Sequence, residues 1–124
     1  MLFFKPETDI DTIKALYSDR QFDSECARIS AFDGDNEIGS VFISVRSFNC
    51  YLSDIEVSDD DALLVEGLIR SALNFAANRG AYIANCADNS YENVLKTLGF
   101  KLSEGVYSGE IPELLKGSCC KKTD

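Results

Sequence analysis

The chain has 124 residues, 45% apolar and 27% charged, which is the composition of one folded domain rather than of a disordered chain. Its 21 acidic and 12 basic side chains give a net charge of −9, and such a surface repels nucleic-acid phosphates and anionic lipid. No apolar run approaches the roughly 20 residues of a membrane-spanning helix, and the first residues do not resemble an export signal. We therefore expect an acidic cytoplasmic domain, a monomer or homodimer, that binds neither nucleic acid nor membrane.

The sequence contains no histidine, the usual base near neutral pH and the commonest metal ligand. This absence excludes Ser-His-Asp and Cys-His catalysis and zinc sites of the HExxH or Cys₂His₂ kind. Any acid–base step must use a carboxylate, tyrosine, lysine, cysteine or water. We expect no metal cofactor.

Five cysteines are present and no CxxC pair occurs. Three of them lie in or beside apolar segments, so we predict that Cys26, Cys50 and Cys86 are reduced core residues. Cys119 and Cys120 belong instead to a Gly/Ser/Lys-containing end, residues 117–124, which we interpret as a flexible tail after a domain of residues 1–116. A thiol-reactive or metal-capturing role for the tail is the alternative.

The first half of the chain predicts a strand, a helix and three further strands. Residues 2–4 are a short apolar strand that Pro6 ends, and Thr8 caps a helix whose apolar positions recur at spacings of three and four. Residues 27–32 and 38–45 are two β-rich runs on either side of a Gly/Asp/Asn turn, which indicates a hairpin, and the second run alternates apolar and polar positions. Residues 50–57 form the next strand.

The second half predicts a βαβ unit and a terminal β segment. Ser58 and Asp61 give a capping signature for a long helix that Gly80 ends, and residues 81–86 return as a strand parallel to residues 52–57. Residues 88–90 cap a shorter helix that Gly99 ends, and residues 100–111 form two β segments around a turn.

The order of these elements and four local patterns resemble the GNAT N-acetyltransferase family over roughly residues 2–111. The patterns are a basic residue followed by T-x-x-D in residues 5–11, an apolar-x-x-apolar-x-Val strand in residues 52–57, Asn-Arg-Gly at 78–80, and Leu-Gly-Phe at 98–100. The resemblance implies one α/β domain with a mixed central sheet and helices on both faces.

The same resemblance implies an enzyme that transfers an acyl group from acyl-CoA, with acetyl-CoA as the expected cofactor, to an unidentified small-molecule or protein amine. The cofactor would be held by the backbone of the central strand near Ile55 and Val57. The family's asparagine before the late helix aligns with Asp88, and a one-residue loop shift would give its role to Asn89.

The family's pyrophosphate loop, Arg/Gln-x-x-Gly-x-Gly/Ala at the start of the long helix, is degraded in this sequence. Its basic position falls on Asp60 and its glycine positions on Leu63 and Val65. Carboxylates at residues 59–61 oppose phosphate binding, although acids in a first helical turn are also ordinary stabilisers of a helix. A divalent-cation site is the less favoured alternative for these acids.

The usual tyrosine acid of the family falls on Leu95, one turn after Tyr91. Tyr91 is therefore a candidate displaced acid, with a core position as the alternative. Glu56 is the candidate base, together with Asp54 on the same strand, and surface exposure is the alternative for both. Two hypotheses remain: a divergent N-acyltransferase, or a non-catalytic GNAT-fold binding module that no longer uses acetyl-CoA.

Overall fold

The computed structural model describes residues 2–17 and 25–115. The predicted tail of residues 117–124, with Cys119 and Cys120, lies outside the described residues. A seven-stranded mixed sheet runs through the domain in the order β1-β2-β3-β4-β5-β7-β6, with helices packed on both faces. The predicted α/β class and mixed sheet are confirmed. The elements are β1 (Leu2–Glu7), α1 (Ile10–Leu16), β2 (Glu25–Asp33), β3 (Asn36–Arg46), β4 (Asn49–Val57), α2 (Ala62–Ala77), β5 (Ile83–Cys86), α3 (Glu92–Leu98), β6 (Lys101–Ser103) and β7 (Val106–Glu110).

The strand pairing combines an antiparallel meander with one parallel crossover. β1 to β4 pair in chain order as antiparallel neighbours, whereas β4 and β5 are parallel and joined by α2. β7 pairs antiparallel with β5 and carries β6 at the sheet edge. The predicted parallel βαβ unit is therefore confirmed.

The main core lies between the sheet and α2 with α3. The apolar stripe predicted on α2 is buried, with Val65, Leu68 and Ile69 each 0% exposed. Gly80 ends the helix region with φ +91°, and the N–H groups of Gly80 and Ala81 donate to the carbonyls of Ala77 and Ala76. This 5→2 and 6→1 pattern is a Schellman motif with glycine at the left-handed position, as the sequence predicts.

The opposite face of the sheet is covered by α1 over β2 and β3. Ile13 of α1 packs with Cys26 and Phe42, and the Tyr17 ring meets the Phe42 ring edge-on at 4.8 Å. The predicted burial of Cys26, Cys50 and Cys86 is confirmed. No helix among residues 2–17 and 25–115 is long and apolar enough to cross a membrane.

Several predicted boundaries in the first half are wrong. β1 continues through Pro6, which pairs with Ile29, because β1 is an edge strand and one of its sides needs no donor. α1 is capped by Asp9 rather than Thr8, since the Asp9 carboxylate accepts from the Thr12 N–H at 3.1 Å.

Two predicted boundaries in the second half, the starts of β5 and α3, also differ from the structure. β5 begins at Ile83 rather than at residue 81, because residues 80 and 81 are used to close the end of α2. α3 begins at Glu92 with Tyr91 in the N-cap position and no side-chain cap, so the predicted capping by residues 88–90 is wrong. Gly99 ends α3 with φ +113°, as predicted.

Candidate functional site

β4 and β5 lie side by side over only part of β4. Their pairs run from Asn49 with Ile83 to Leu52 with Cys86. Beyond Cys86 the chain leaves the sheet for the loop before α3, whereas β4 continues to Val57. A gap therefore opens at the C-terminal ends of the two parallel strands, the place where α/β sheets most often bind ligands.

The β4 side of this gap contains a β-bulge. The register with β3 shifts near Ser40, so that one residue of β3 faces both Asp54 and Ile55. Asp54 has φ +53°, in the left-handed region that only a few non-glycine residues adopt, and its Oδ2 accepts from the Ser53 hydroxyl at 2.8 Å. The bulge changes which way the last residues of β4 face.

Asp88 crosses the gap from the β5 side. Its Oδ2 accepts from the Ile55 N–H at 3.1 Å, and its Oδ1 accepts from the Ser90 N–H at 3.0 Å. Its carbonyl accepts from the Cys86 thiol at 3.3 Å. Partial burial raises the pKa of Asp88, but the N–H donors of Ser90 and Ile55 outweigh that effect, so the pKa is lowered and the group is a carboxylate at neutral pH.

The free N–H groups at the start of α2 are bound by an aspartate of the chain itself. Asp61 is the N-cap, and its carboxylate accepts from the N–H groups of Leu63 at 3.0 Å and Leu64 at 3.4 Å. The predicted cap at Ser58 is wrong, because Ser58 remains bound to the sheet and its hydroxyl donates to the Ile38 carbonyl at 3.2 Å.

The two positions aligned with the family's glycines have opposite surroundings. Leu63 is 79% exposed, whereas Val65 is 0% exposed and belongs to the main core. A glycine at 63 would open the helix surface, but a glycine at 65 would leave a cavity under the sheet. The second glycine of a phosphate loop is therefore incompatible with this core.

Tyr91 connects the loop before α2 to the start of α3. Its hydroxyl donates to Asp60 Oδ1 at 2.9 Å, and this bond to a carboxylate raises the pKa of Tyr91. Tyr91 therefore keeps its proton at neutral pH and directs it to Asp60.

A second tyrosine–carboxylate bond holds the first turn of α3 to β7. Tyr107 of β7 is 1% exposed, and its hydroxyl donates to Glu92 Oε2 at 2.7 Å. This bond to a carboxylate raises the pKa of Tyr107.

Glu56 lies away from Tyr91, on the α1 face of the sheet. It pairs across the strands with Ser40 and lines a cavity of about 240 Å³ beside Arg28. The Arg28 guanidinium binds both carboxylate oxygens of Glu37, at 3.0 and 2.6 Å, which lowers the pKa of Glu37. The structure therefore does not bring the candidate acid and the candidate base together.

The remaining candidate binding residues lie along the gap. Ile55 packs into the main core with its N–H bound to Asp88, and Val57 is half-buried against the same core. Asn89 lines a cavity of about 570 Å³ with Asp60 and Tyr91, between the starts of α2 and α3. Within the described ranges, no three Cys, Asp or Glu side chains are grouped as metal ligands would be.

No protein-family model matches the sequence, and no curated protein sequence matches it. Solved structures do match the fold. The ribosomal-protein-S18-alanine N-acetyltransferase from Escherichia coli superposes with a TM-score of 0.68 at 13% identity, over 90% of this chain and 94% of its own. A GNAT-family protein from Desulfovibrio desulfuricans gives 0.71 at 11% over 90% and 99%, and an IAA acetyltransferase from Bacillus cereus gives 0.65 at 14% over 89% and 99%.

This chain has the GNAT fold. Sequence identities of 11 to 14% to these structures show that the fold is shared, but they do not show that the enzymatic activity is shared. In this fold the long helix is α2, the central strand is β4 and the late helix is α3, and these three elements hold the residues at the positions expected for the cofactor.

The residues present do not fit the anionic and carbonyl groups of CoA. The N–H groups of Leu63 and Leu64, at the helix end where phosphates would bind, already donate to Asp61. The Ile55 N–H of the central strand already donates to Asp88. At roughly 6 Å and an effective dielectric of about 20, each added carboxylate–phosphate pair would cost on the order of 3 kcal/mol before screening.

The sequence analysis did not predict the hydrogen bond from the Ile55 N–H to Asp88 or the one from Tyr107 to Glu92. The signal for Asp88 is its position two residues after a predicted strand, where a short acidic side chain can accept a neighbouring strand's free N–H. For Tyr107 and Glu92 the sequence holds no signal, because the bond joins β7 to α3 across 15 residues.

Proposed function

We propose that this protein is a non-catalytic GNAT-fold binding module that does not use acetyl-CoA in the family's manner. The observation that supports this most directly is the bond from the Ile55 N–H to the Asp88 carboxylate at 3.1 Å. A backbone N–H has one hydrogen, so a ligand carbonyl can take it only by displacing a charged acceptor.

The charges around the gap indicate the kind of ligand the module would take. Among the described residues that line the three cavities at this end of the sheet, Arg28 is the one cation, and it is already paired with Glu37. An anionic ligand would lose its hydration without gaining a cation, whereas a neutral or cationic ligand would not. Many carboxylates lie at this end of the sheet, and among the described residues they include Asp33, Asp35, Glu37, Asp54, Glu56, Asp59, Asp60, Asp61, Asp88, Glu92 and Glu104.

Calorimetric titration with acetyl-CoA and CoA at low and moderate salt tests the proposal. We expect no measurable binding at micromolar ligand. A parallel NMR titration with spermidine and with citrate should move the amide signals of residues 54–60 and 88–92 with the cation and leave them unchanged with the anion. Micromolar binding of acetyl-CoA would contradict the proposal.

A divergent N-acyltransferase is the second candidate, and the gap itself favours it. β4 and β5 separate after Leu52 and Cys86, and cavities of about 570 and 540 Å³ lie beside the opening. This space could admit a thioester if Asp88 moved. The acyltransferase hypothesis requires CoA release from acetyl-CoA in the presence of an amine, measured with a thiol reagent against a no-protein control.

A further inference from the structure

We infer that Asp88 is the specificity-determining residue that excludes a pantetheine-like chain from the β4–β5 gap. This inference rests on the proposed function and names the side chain responsible. Asp88 follows the last residue of β5 by two positions and accepts the N–H that β4 presents where β5 has ended.

The position of Asp88 follows from the way the two strands end. A buried strand N–H without a ladder partner is unfavourable, so the fold must supply an acceptor once β5 leaves the sheet. The Ile55 side chain is 5% exposed, and its N–H faces the gap rather than β3. The Asp88 carboxylate extends the ladder by one bond and fills the place that a ligand carbonyl would need.

Three contacts hold Asp88 in this position. Its second carboxylate oxygen is bound by the Ser90 N–H, and its carbonyl is bound by the Cys86 thiol. The side chain is therefore fixed at both ends of a short turn, and displacing it would break the turn as well as the bond to Ile55.

Pantetheine is the appropriate probe, because it is uncharged and does not respond to the acids at the start of α2. We expect wild-type protein to bind pantetheine at least about tenfold more weakly than the Asp88→Ala variant, by NMR titration of the Ile55 amide. Asp88→Asn keeps one oxygen acceptor for the Ile55 N–H but turns its NH₂ group towards the Ser90 N–H, so we expect a pantetheine affinity between those of wild type and Asp88→Ala. Asn74→Ala, at an exposed position near the end of α2 and away from the gap, should behave as wild type.

The outcomes separate this inference from the proposed function. If wild type binds CoA tightly, the proposed function fails; if wild type and Asp88→Ala are equally weak for pantetheine, only the role of Asp88 is overturned. A purely structural Asp88 would lower the melting temperature of Asp88→Ala and speed exchange of the Ile55 amide without any gain in pantetheine binding. If Asp88→Ala does not fold, Asp88→Ser gives the same test, because its hydroxyl can keep the turn to Ser90 but is too short to reach Ile55.

Discussion

Asp61 and Asp88 each accept backbone N–H groups at the end of a secondary-structure element. Asp61 binds the first free donors of α2, and Asp88 binds a donor that β4 exposes beyond β5. Helix starts and strand ends are the parts of an α/β fold that have unpaired donors, which is why ligands with negative or carbonyl oxygens bind there. In this chain two side-chain carboxylates take that role, and the same residues that complete the fold oppose a CoA-like ligand.

At the residue scale, the buried thiols predict a loss of stability at alkaline pH. Burial raises the pKa of Cys50 from 9.0 to about 12 and that of Cys86 from 9.0 to about 11. Since the unfolded thiols lose their protons first, the stabilisation is complete below pH 9 and is lost progressively as pH rises towards the folded values. We expect unfolding free energy to fall by about 1 kcal/mol per thiol between about pH 8 and about pH 10.

Urea denaturation at the two pH values measures this change. A Cys50→Ala variant should show a shallower fall than wild type, and Cys119→Ser with Cys120→Ser should show the same fall as wild type. Equal slopes for wild type and Cys50→Ala would mean that Cys50 does not cause the change.

Gly67 gives a second prediction at this scale. A Cβ at Gly67 would lie 2.5 Å from Cζ of the Phe4 ring, which packs onto α2 from the edge strand. Gly67→Ala should therefore destabilise the fold by about 1–3 kcal/mol, even though alanine favours a helix by about 1 kcal/mol. Asn74→Ala, at an exposed position of the same helix, should be neutral or stabilising in the same chemical denaturation. Adding Phe4→Leu to Gly67→Ala should restore part of the loss if the ring contact is the cause.

At the element scale, the sequence predicts those features that depend on the spacing of apolar residues and on glycines at the ends of helices. The parallel β4–α2–β5 unit, the buried stripe of α2 and the ends at Gly80 and Gly99 follow from spacing and from positive φ. The start of α2 cannot be predicted in this way, because Ser58 and Asp61 are both residues that commonly cap helices. Only the hydrogen bond from Ser58 to the Ile38 carbonyl, a contact within the folded sheet, decides between them. The bulge at Asp54 likewise depends on register with β3 and leaves no local pattern.

The two possible caps of α2 predict different costs. Asp61→Ala should destabilise the protein by about 1 kcal/mol, since the N–H groups of Leu63 and Leu64 lose their acceptor. Ser58→Ala should cost less, because the Ser58 backbone N–H still donates to the Ile38 carbonyl at 3.0 Å. Thermal unfolding of the two variants compares them, and a larger loss for Ser58→Ala would restore the cap predicted from the sequence.

At the scale of the whole molecule, the GNAT fold and the charge are separable properties. The fold depends on the apolar core between the sheet, α2 and α3, and within residues 2–17 and 25–115 the buried polar residues are Ser30 and Ser40, which carry no charge. The net charge of −9 is concentrated partly at the C-terminal ends of β4 and β5, outside that core. A chain can therefore retain this fold at 11 to 14% identity to its structural neighbours while the end of the sheet changes what it binds.

This concentration of charge predicts that salt stabilises the protein. Raising ionic strength from about 10 mM to about 150 mM shortens the screening length from about 30 Å to about 8 Å, so repulsion among the carboxylates weakens and the melting temperature should rise. Asp59→Lys places a cation among these acids at an exposed position, and we expect it to raise the low-salt melting temperature and to reduce the salt dependence. Glu110→Lys, at an exposed position beside the first residue of β5 and so at the opposite end of the sheet, changes the net charge equally and is the matched control. If both variants respond alike, total charge rather than its concentration at the gap sets the salt effect, and the electrostatic argument for a cationic ligand loses its support.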